Sequence, residues 1–500
     1  MPCARSQRGL TRPTLRVVLT GLLLLMAVAG CMAEGSALHA AEPESARATT
    51  GPSIGERLPL WSTLPFAGIL LSIAIFPLAA PHFWHHQYPK VALAWALSFA
   101  VPFLIAYRDA AWHEILHIYL VDYVPFIILL WGLFTVAGGI VLRGTPVGTP
   151  IVNTVFLLVG TIIASWTGTT GAAMLLIRPV LRANARRAHK THVVIFFLFL
   201  VANIGGSLTP LGDPPLFLGF LHKVPFTWTF NLLPHMSFMT IALLILFYRI
   251  DRYYFHRESG GPARAASAGR QQPLRLAGSL NLLLLGGILG AVLLSGIWHA
   301  GSFNLGGVHL EWQNVARDLL ILAMGGLSLR LTATDLRRGN QFSWEPIREV
   351  AYLFAGIFMT IVPALAILKA GERGALGFLV GTIEAPWQYF VAVGSLSSFL
   401  DNAPTYLTFF NTVLGRFYPG QEEGVAVARL IAERGEYLEA IAVGSVFMGA
   451  MTYIGNAPNF MVKSIAEEAG IAMPSFFGFM LRWSIPILVP LFAVVAWVFF

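Results

Sequence analysis

The stretch Thr209-Pro-Leu-Gly-Asp-Pro-Pro215 interrupts a long apolar segment and decides how the chain folds. A second copy, Thr452-Tyr-Ile-Gly-Asn-Ala-Pro458, follows about 240 residues later. Both copies fit the pattern T-x-x-G-[DN]-x-P, and each follows a further glycine, Gly206 or Gly449. Proline removes a backbone donor and glycine loosens the chain, so a continuous helix should exclude them. Matching interruptions in two halves of a hydrophobic protein indicate the midplane binding site of a transporter.

The composition is that of an all-α polytopic membrane protein. Of 500 residues, 56% are hydrophobic and 12% are charged, whereas a soluble globular chain carries about 25% charged residues. The net charge of +8 does not indicate nucleic-acid binding, because the basic residues gather in short loops, as the positive-inside rule predicts. Only Cys3 and Cys31 are present, which excludes a disulfide framework or a thiolate metal site.

The first residues have the order of a secretory signal peptide. Four arginines among the first sixteen residues precede an apolar segment, 17–30, and small residues follow it. We predict a signal peptide at 1–41, cleaved near its end or at a lipobox ending in Cys31. An uncleaved extra span is the alternative. In either case we expect a disordered extracytoplasmic segment at 42–58.

Hydropathy predicts about ten transmembrane crossings and two re-entrant hairpins. The hairpins are 149–178 and 379–416, whose polar centres leave arms too short to cross a bilayer. The crossings are predicted at 61–80, 90–107, 120–142, 193–223, 233–250, 277–298, 314–332, 349–370, 438–469 and 479–500. With the mature N-terminus outside, the three basic loops fall in the cytoplasm and the mixed loop 416–437 falls outside.

Each half of the chain holds five crossings and one hairpin. Because five is odd, the second half must begin on the opposite face, which gives an inverted repeat. We therefore predict a first transporter repeat at 59–250, a cytoplasmic linker at 251–276 and a second, inverted repeat at 277–500. The hairpin tips align through Ser165 and Ser398.

The candidate binding residues lie in these four breaks. Carboxylates inside a membrane are costly and indicate function, and Asp213 and Asp401 lie in a broken helix and at a hairpin tip. With neutral oxygens they form a ligand set for a hard cation such as Na⁺, or hold H⁺ in its place. The alternative is that the polar groups only satisfy freed backbone. The other candidate ligands are Asn402, Asn456, Asn203, Thr169, Ser165, Ser398, Thr209 and Thr452, and the helix-break residues are Gly212, Pro215, Gly455 and Pro458.

A second motif, His113-Glu-Ile-Leu-His117, matches the zinc-protease signature H-E-x-x-H. We favour a polar helix end at the outer mouth of the third span, because no third ligand lies at a similar depth. Weaker candidates for pH sensing, proton coupling or charge balance are His82, His85, His86, Glu384, Lys463 and Arg178.

Two strings carry a family resemblance: Ala202-Asn-Ile-Gly-Gly-Ser-Leu-Thr-Pro-Leu-Gly-Asp-Pro-Pro215 and Ser398-Phe-Leu-Asp-Asn-Ala-Pro404. Over about 60–500, the chain resembles the ion-transporter superfamily of arsenite pumps, citrate and dicarboxylate carriers and sodium/proton antiporters. It is most similar to the antiporter branch often labelled citrate-transporter-like. The resemblance implies a scaffold domain and a transport domain, with hairpins and broken helices forming the site. The Ser-Asn-Thr triplets typical of dicarboxylate carriers are absent from both tips.

We therefore predict a secondary Na⁺ (or Li⁺)/H⁺ antiporter of the bacterial inner membrane that works by alternating access. The proton gradient would drive it, because the chain has no P-loop. The expected partners are Na⁺, H⁺ and the lipid bilayer, and a homodimer is compatible with this architecture. We expect no nucleic acid, no cofactor and no catalytic activity. The alternatives are an anion carrier for citrate, dicarboxylate or arsenite, using half-helix N-termini, and an H-E-x-x-H intramembrane metalloprotease.

Overall fold

Helices form most of the computed structural model, which describes residues 54–144, 146–258 and 273–500. The predicted signal peptide at 1–41 lies outside the described residues, as does most of the segment 42–58 and of the linker 251–276. The described part is an all-α polytopic membrane protein, as the sequence predicts.

The helices of the first half carry both a hairpin and a broken helix. They are α1 (Ile54–Arg57), α2 (Leu64–Ala79), α3 (Pro81–His117), α4 (Val124–Ala137), α5 (Pro150–Thr167), α6 (Thr169–Ala183), α7 (Thr191–Leu200), α8 (Pro214–Leu221) and α9 (Leu233–Arg257). A π-helical segment, Ile118–Tyr123, joins α3 to α4. Short 3₁₀ turns lie at Leu60–Thr63, Ile204–Leu208 and Phe226–Leu232.

The second half also holds a hairpin and a broken helix. Its helices are α10 (Leu280–Ile297), α11 (Trp312–Leu331), α12 (Thr334–Gly339), α13 (Glu345–Lys369), α14 (Gly377–Thr382), α15 (Pro386–Ser397), α16 (Asn402–Phe417), α17 (Glu423–Met448), α18 (Ala457–Glu468), α19 (Phe476–Phe479) and α20 (Ile485–Phe499). A π-helical segment, Met480–Ser484, precedes α20, and 3₁₀ turns lie at Gly371–Arg373 and Gly449–Met451.

Among the described residues, eight helical segments are long and apolar enough to cross a bilayer. One of them, Pro81–Ala137, covers two of the predicted crossings. Its helix bends at Arg108, where the backbone leaves the helical region (φ 43°, ψ −113°), and again at the π-helical segment. The remaining predicted crossings fall on α11 and on α17 with α18, which are more polar.

Both predicted hairpins are pairs of helices joined by a sharp reversal. The prediction that the hairpin arms are too short to cross a bilayer is wrong for α5, which has 18 residues and is one of the eight segments long and apolar enough to cross. α5 and α6 are separated by Gly168 alone, whose backbone (φ 77°, ψ 148°) lies in a region open only to glycine. α15 and α16 reverse at residues 398–401. Two small antiparallel ribbons complete the structure, β1 (Val141–Arg143) with β2 (Arg275–Ala277) and β3 (Ser302–Leu305) with β4 (Val308–Glu311).

The helices pack as two groups, and each group draws on both halves of the chain. The scaffold group contains α2–α4, α10, α11 and α13, with α3 packed along α13 and α4 along α11. The site group contains α5–α9, α15–α18 and α20, with α15 and α16 packed along α17. The groups meet chiefly where α13 packs on α16 and α4 on α6. All four breaks lie in the site group.

Candidate functional site

Four helices begin at the candidate site, because each break restarts a helix there. The N-cap residues are Gly168 for α6, Asp213 for α8, Asp401 for α16 and Asn456 for α18. A helix N-terminus carries unpaired N–H groups and a partial charge of about +0.5. The site is therefore lined by backbone donors and by the two aspartates.

The side chain of Asp213 is the meeting point of these breaks. Its Oδ1 accepts hydrogen bonds from Thr169 Oγ1 at 3.1 Å and from Asn456 Nδ2 at 3.0 Å. Its Oδ2 accepts one from Asn402 Nδ2 at 2.5 Å. One donor comes from each of the other three breaks. All four side chains are at most 2% exposed, so the carboxylate relies on these donors rather than on bulk water.

Asp401 has a different role in the structure. Its Oδ1 accepts a hydrogen bond from the Ala403 backbone N–H at 3.0 Å, which caps α16. It is half-buried, whereas Asp213 is 2% exposed. Asp213 makes no such bond to its own helix, because its carboxylate turns toward Thr169, Asn402 and Asn456. Asp401 thus caps its own helix, whereas Asp213 accepts hydrogen bonds from the other three breaks.

The two halves hold their breaks with equivalent hydrogen bonds. Thr209 Oγ1 donates to the carbonyl of Ser165, and Thr452 Oγ1 donates to the carbonyl of Ser398 at 2.5 Å. The backbone angles of Asp213 (φ −144°, ψ 145°) and Asn456 (φ −150°, ψ 141°) also agree closely. The predicted alignment of hairpin tips and broken helices therefore holds at the level of single contacts.

The serine hydroxyls continue this equivalence. Ser165 Oγ donates to the Gly205 carbonyl at 2.5 Å. Ser398 Oγ shares its hydrogen between the Gly394 carbonyl of its own helix at 2.8 Å and the Met448 carbonyl at 3.2 Å. The Gly205 and Met448 carbonyls each belong to the last residue before the first glycine of a break, Gly206 or Gly449. These serines and threonines thus satisfy backbone that the breaks leave free, while Thr169 contacts Asp213 directly.

Close backbone contact explains the glycines of the motif. A Cβ on Gly212 would overlap the carbonyl oxygen of Gly206, and one on Gly455 would lie 2.7 Å from that of Gly449. Pro215 and Pro458 lie in the first turns of α8 and α18, where no intrahelical donor is lost. The helix-break residues therefore close the turn before each half-helix and start the helix after it.

Asn203 lies beside the second break rather than on Asp213. Its Nδ2 donates to Asn459 Oδ1 and to the Leu198 carbonyl, each at 2.8 Å. Asn459 in turn donates to the carbonyls of Gly449 and Thr452, each at 2.9 Å. Within the described residues, the buried oxygens Asn203 Oδ1 and Asn402 Oδ1 have no hydrogen-bond partner. Such oxygens are available to a ligand.

Sequence reasoning did not single out Asn459. Its signal is an amide one residue after Pro458 in an otherwise apolar turn, and it is 1% exposed. The repeat comparison offers no help, because the first half has Leu216 at the equivalent position. Its importance comes from the three-dimensional contact with Asn203.

The H-E-x-x-H motif lies on α3 in the scaffold group. His113 Nε2 is 3.2 Å from the Gly307 carbonyl, in the turn between β3 and β4. Across the residues that the structure describes, no group of three His, Cys, Asp or Glu side chains could hold a metal ion.

The weaker candidates make their contacts away from Asp213. His86 packs on His82 and His85, and the Glu384 backbone N–H is bound by the Gln388 side chain. Arg178 donates to Gln341 and Lys463 donates to Glu467.

One comparison with known proteins agrees with this architecture. The sequence profile of the family described as "Putative citrate transport" matches residues 55–500. The chain belongs to this family. The match covers all four breaks, so the site described above is a feature of a transport-family protein. No curated protein matches the chain.

Proposed function

We propose that this family member is a secondary antiporter that exchanges Na⁺ or Li⁺ for H⁺ at Asp213. The observation that carries the proposal is the position of Asp213, a buried carboxylate that receives one donor from each of the other three breaks. A single carboxylate that holds either H⁺ or a cation couples the two ions, because each must leave before the other binds. Alternating access would expose it to one face at a time.

Amide rotation supports the exchange chemically. Asn402 now directs Nδ2 at the carboxylate, while its Oδ1 has no partner in the described part of the chain. A half-turn of this amide would direct the oxygen toward Asp213, since an amide carries a donor and an acceptor on one plane. Carboxylate and amide oxygens are ligands that hard cations prefer. With Nδ2 toward Asp213, the Asn402 amide stabilises the carboxylate when no cation is bound. With Oδ1 toward Asp213, the same amide can help to bind a cation.

Charge balance leaves a second candidate function open, that of a citrate carrier. Four helix N-termini of about +0.5 each face two carboxylates, so the site is close to neutral when both are ionised. Protonation of Asp213 would leave it positive enough to attract an anion. The family description supports this candidate, and the unbonded oxygen of Asn402 favours a cation. In both cases Asp213 carries the proton.

We further propose that the protein acts in a bacterial inner membrane with the predicted orientation. Residues predicted on one face lie together. β1 and β2 pair although 131 residues lie between Arg143 and Arg275, and the two strands lie where the predicted crossings 120–142 and 277–298 meet the cytoplasm. Arg178 meets Gln341, and each of these residues lies in a predicted cytoplasmic loop.

A reconstituted transport assay tests the function. Purified protein in proteoliposomes with an acidic lumen receives external NaCl, LiCl, KCl or sodium-free citrate, and a dye reports the internal pH. We expect Na⁺ and Li⁺, but not K⁺, to dissipate the gradient. Protein-dependent uptake of labelled citrate, without a cation-induced pH change, would instead establish the carrier function.

A further inference from the structure

Four charged side chains from both helix groups meet away from Asp213. Asp122 lies in the π-helical segment before α4, and Lys369 is the last residue of α13, so both belong to the scaffold group. His222 follows α8 directly, and Glu423 is the first residue of α17, so both belong to the site group. The predicted topology places Asp122, His222 and Lys369 at the outer ends of different crossings and Glu423 in the outer loop 416–437.

His222 is the centre of this cluster. Its Nδ1 lies 2.6 Å from Glu423 Oε1, and its Nε2 lies 3.1 Å from Asp122 Oδ1. Lys369 Nζ lies 2.8 Å from Glu423 Oε2. Protonated His222 and Lys369 balance the two carboxylates. Glu114 and His117 of α3 also act electrostatically on this cluster.

Burial makes the Asp122–His222 pair stronger than an ordinary surface ion pair, whereas the side chains of Lys369 and Glu423 are 46% and 30% exposed. His222 is 5% exposed and Asp122 is 2% exposed, and the imidazole packs against Phe410. Exposed ion pairs contribute little to stability, whereas breaking a buried pair by removing one partner is costly. The contact between Asp122 and His222 therefore fixes the scaffold group to the site group at the predicted outer end.

A short helix, α8, connects His222 to Asp213. α8 begins after Asp213 and ends before His222, and its eight residues span about 12 Å at 1.5 Å per residue. Phe217 of α8 lies under the Arg317 guanidinium of the scaffold group, 5.8 Å from ring to charge. A shift of Asp213 would therefore be transmitted along α8 to His222.

From this geometry we infer that His222 is a positioning residue for transport. It holds the outer end of α8 to Asp122 in the outer-closed state, and this contact opens once in each transport cycle. The inference rests on the proposed transport at Asp213. The variant H222Q removes the charge but keeps a polar side chain of similar reach, so it weakens the closed state relative to the outer-open state.

Transport kinetics test this role in proteoliposomes. A larger outer-open population raises apparent affinity for the external ion, so H222Q and D122N should lower KM and lower the maximal rate, each about fivefold. Loss of folded protein alone would lower the maximal rate with KM unchanged, and that result would overturn the inference. R429Q is the matched control, because Arg429 forms an exposed ion pair with Glu433 and otherwise contacts Tyr418 and Gln421 just before α17, away from the scaffold group.

A reversible crosslink tests whether the contact opens. The double variant D122C/H222C is made in a C3S/C31S background, which removes both native cysteines. Because the 3.1 Å distance joins the ends of two long side chains, the two thiols are too far apart for a direct disulfide, which needs Cβ atoms about 4 Å apart. We therefore expect Hg²⁺ to bridge the two thiols and to stop transport, and excess dithiothreitol to remove it and restore transport. Transport at the normal rate by crosslinked protein would overturn the inference.

Amide hydrogen exchange separates this inference from the proposed function, because it needs no transported ion. In the intact protein, H222Q should speed exchange over 118–123 and 216–224 relative to wild type and R429Q. If H222Q exchanges faster but the wild-type protein transports no cation, the positioning role stands and only the antiport function is refuted. Unchanged exchange in H222Q would refute the positioning role.

Discussion

Asn456 occupies the position in the second half of the chain that Asp213 occupies in the first. Its amide donates a hydrogen bond of 3.0 Å to that aspartate. Two equivalent positions thus face each other across the pseudosymmetric site, one as a carboxylate and one as its neutral donor. Two carboxylates at this distance would repel each other. The difference between the repeats leaves one acidic centre where the helices meet.

Thr169 provides the most selective test of the hydrogen bonds at Asp213. T169V keeps the shape of the side chain and removes the hydroxyl that donates to Asp213 Oδ1. A hydrogen bond to a charged group contributes about 1.5–3 kcal/mol, so we expect apparent ion affinity to change by about tenfold or more. Transport titrations measure it. T170V alters the half-buried neighbour and should behave as wild type, and equal effects of both variants would contradict the role of Thr169.

Glycine substitutions test the close backbone contact in the break. G212A places a Cβ against the carbonyl oxygen of Gly206, and backbone cannot yield as a flexible side chain can. We expect G212A to abolish transport and to lower the apparent Tm. G290A in α10 is the control, since its Cβ would meet nothing within 4 Å. A fully active G212A would show that the turn tolerates a side chain.

Substitutions of Asp401 separate its cap from its charge. Asparagine caps a helix about as well as aspartate, whereas alanine loses about 1 kcal/mol. D401N should therefore keep wild-type thermal stability, and D401A should lower it. We expect D401N to transport more slowly but not to be inactive, since Asp213 remains. An inactive D401N of normal stability would move the ion-binding role to Asp401.

Substitution of Asp251 tests a buried hydrogen-bond network within the site group. It is fully buried and accepts hydrogen bonds from Arg187 Nη1 (2.5 Å), His192 Nε2 (2.8 Å) and Asn153 Nδ2 (2.9 Å). D251N leaves the Arg187 charge without its main partner, and such a loss costs about 3–5 kcal/mol. Thermal unfolding in detergent should show a clearly lower Tm, and D335N, on the exposed α12, should not.

Sequence patterns could predict the fold because each break has a local chemical cause. The glycine and proline positions of T-x-x-G-[DN]-x-P mark the turns before α8 and α18, and the polar tip around Gly168 marks the first hairpin. Apolar length places eight of the ten predicted crossings on segments long and apolar enough to cross a bilayer, but it also marks α5, an arm of a predicted hairpin. The bend at Arg108 lies where the predicted crossing 90–107 ends, whereas the π-helical segment that follows α3 leaves no comparable pattern in the residues.

Sequence patterns could not predict which side chains of the four breaks contact each other, because these contacts depend on how the four elements pack together. Both aspartates carry equal weight as membrane carboxylates, yet Asp401 caps its own helix while Asp213 receives three side-chain donors. Asn459 and His222 have no motif at all. They become significant only through Asn203 and Asp122, which are distant in the chain.

Ion-coupled proton release measures the central proposal, that Asp213 exchanges H⁺ for a cation. Purified protein in weak buffer is titrated with NaCl while the pH is recorded, with choline chloride as the ionic-strength control. We predict that Na⁺ releases about one proton per protein chain and that D213N releases none, while D401N still does. Equal proton release by D213N and wild type would contradict the account.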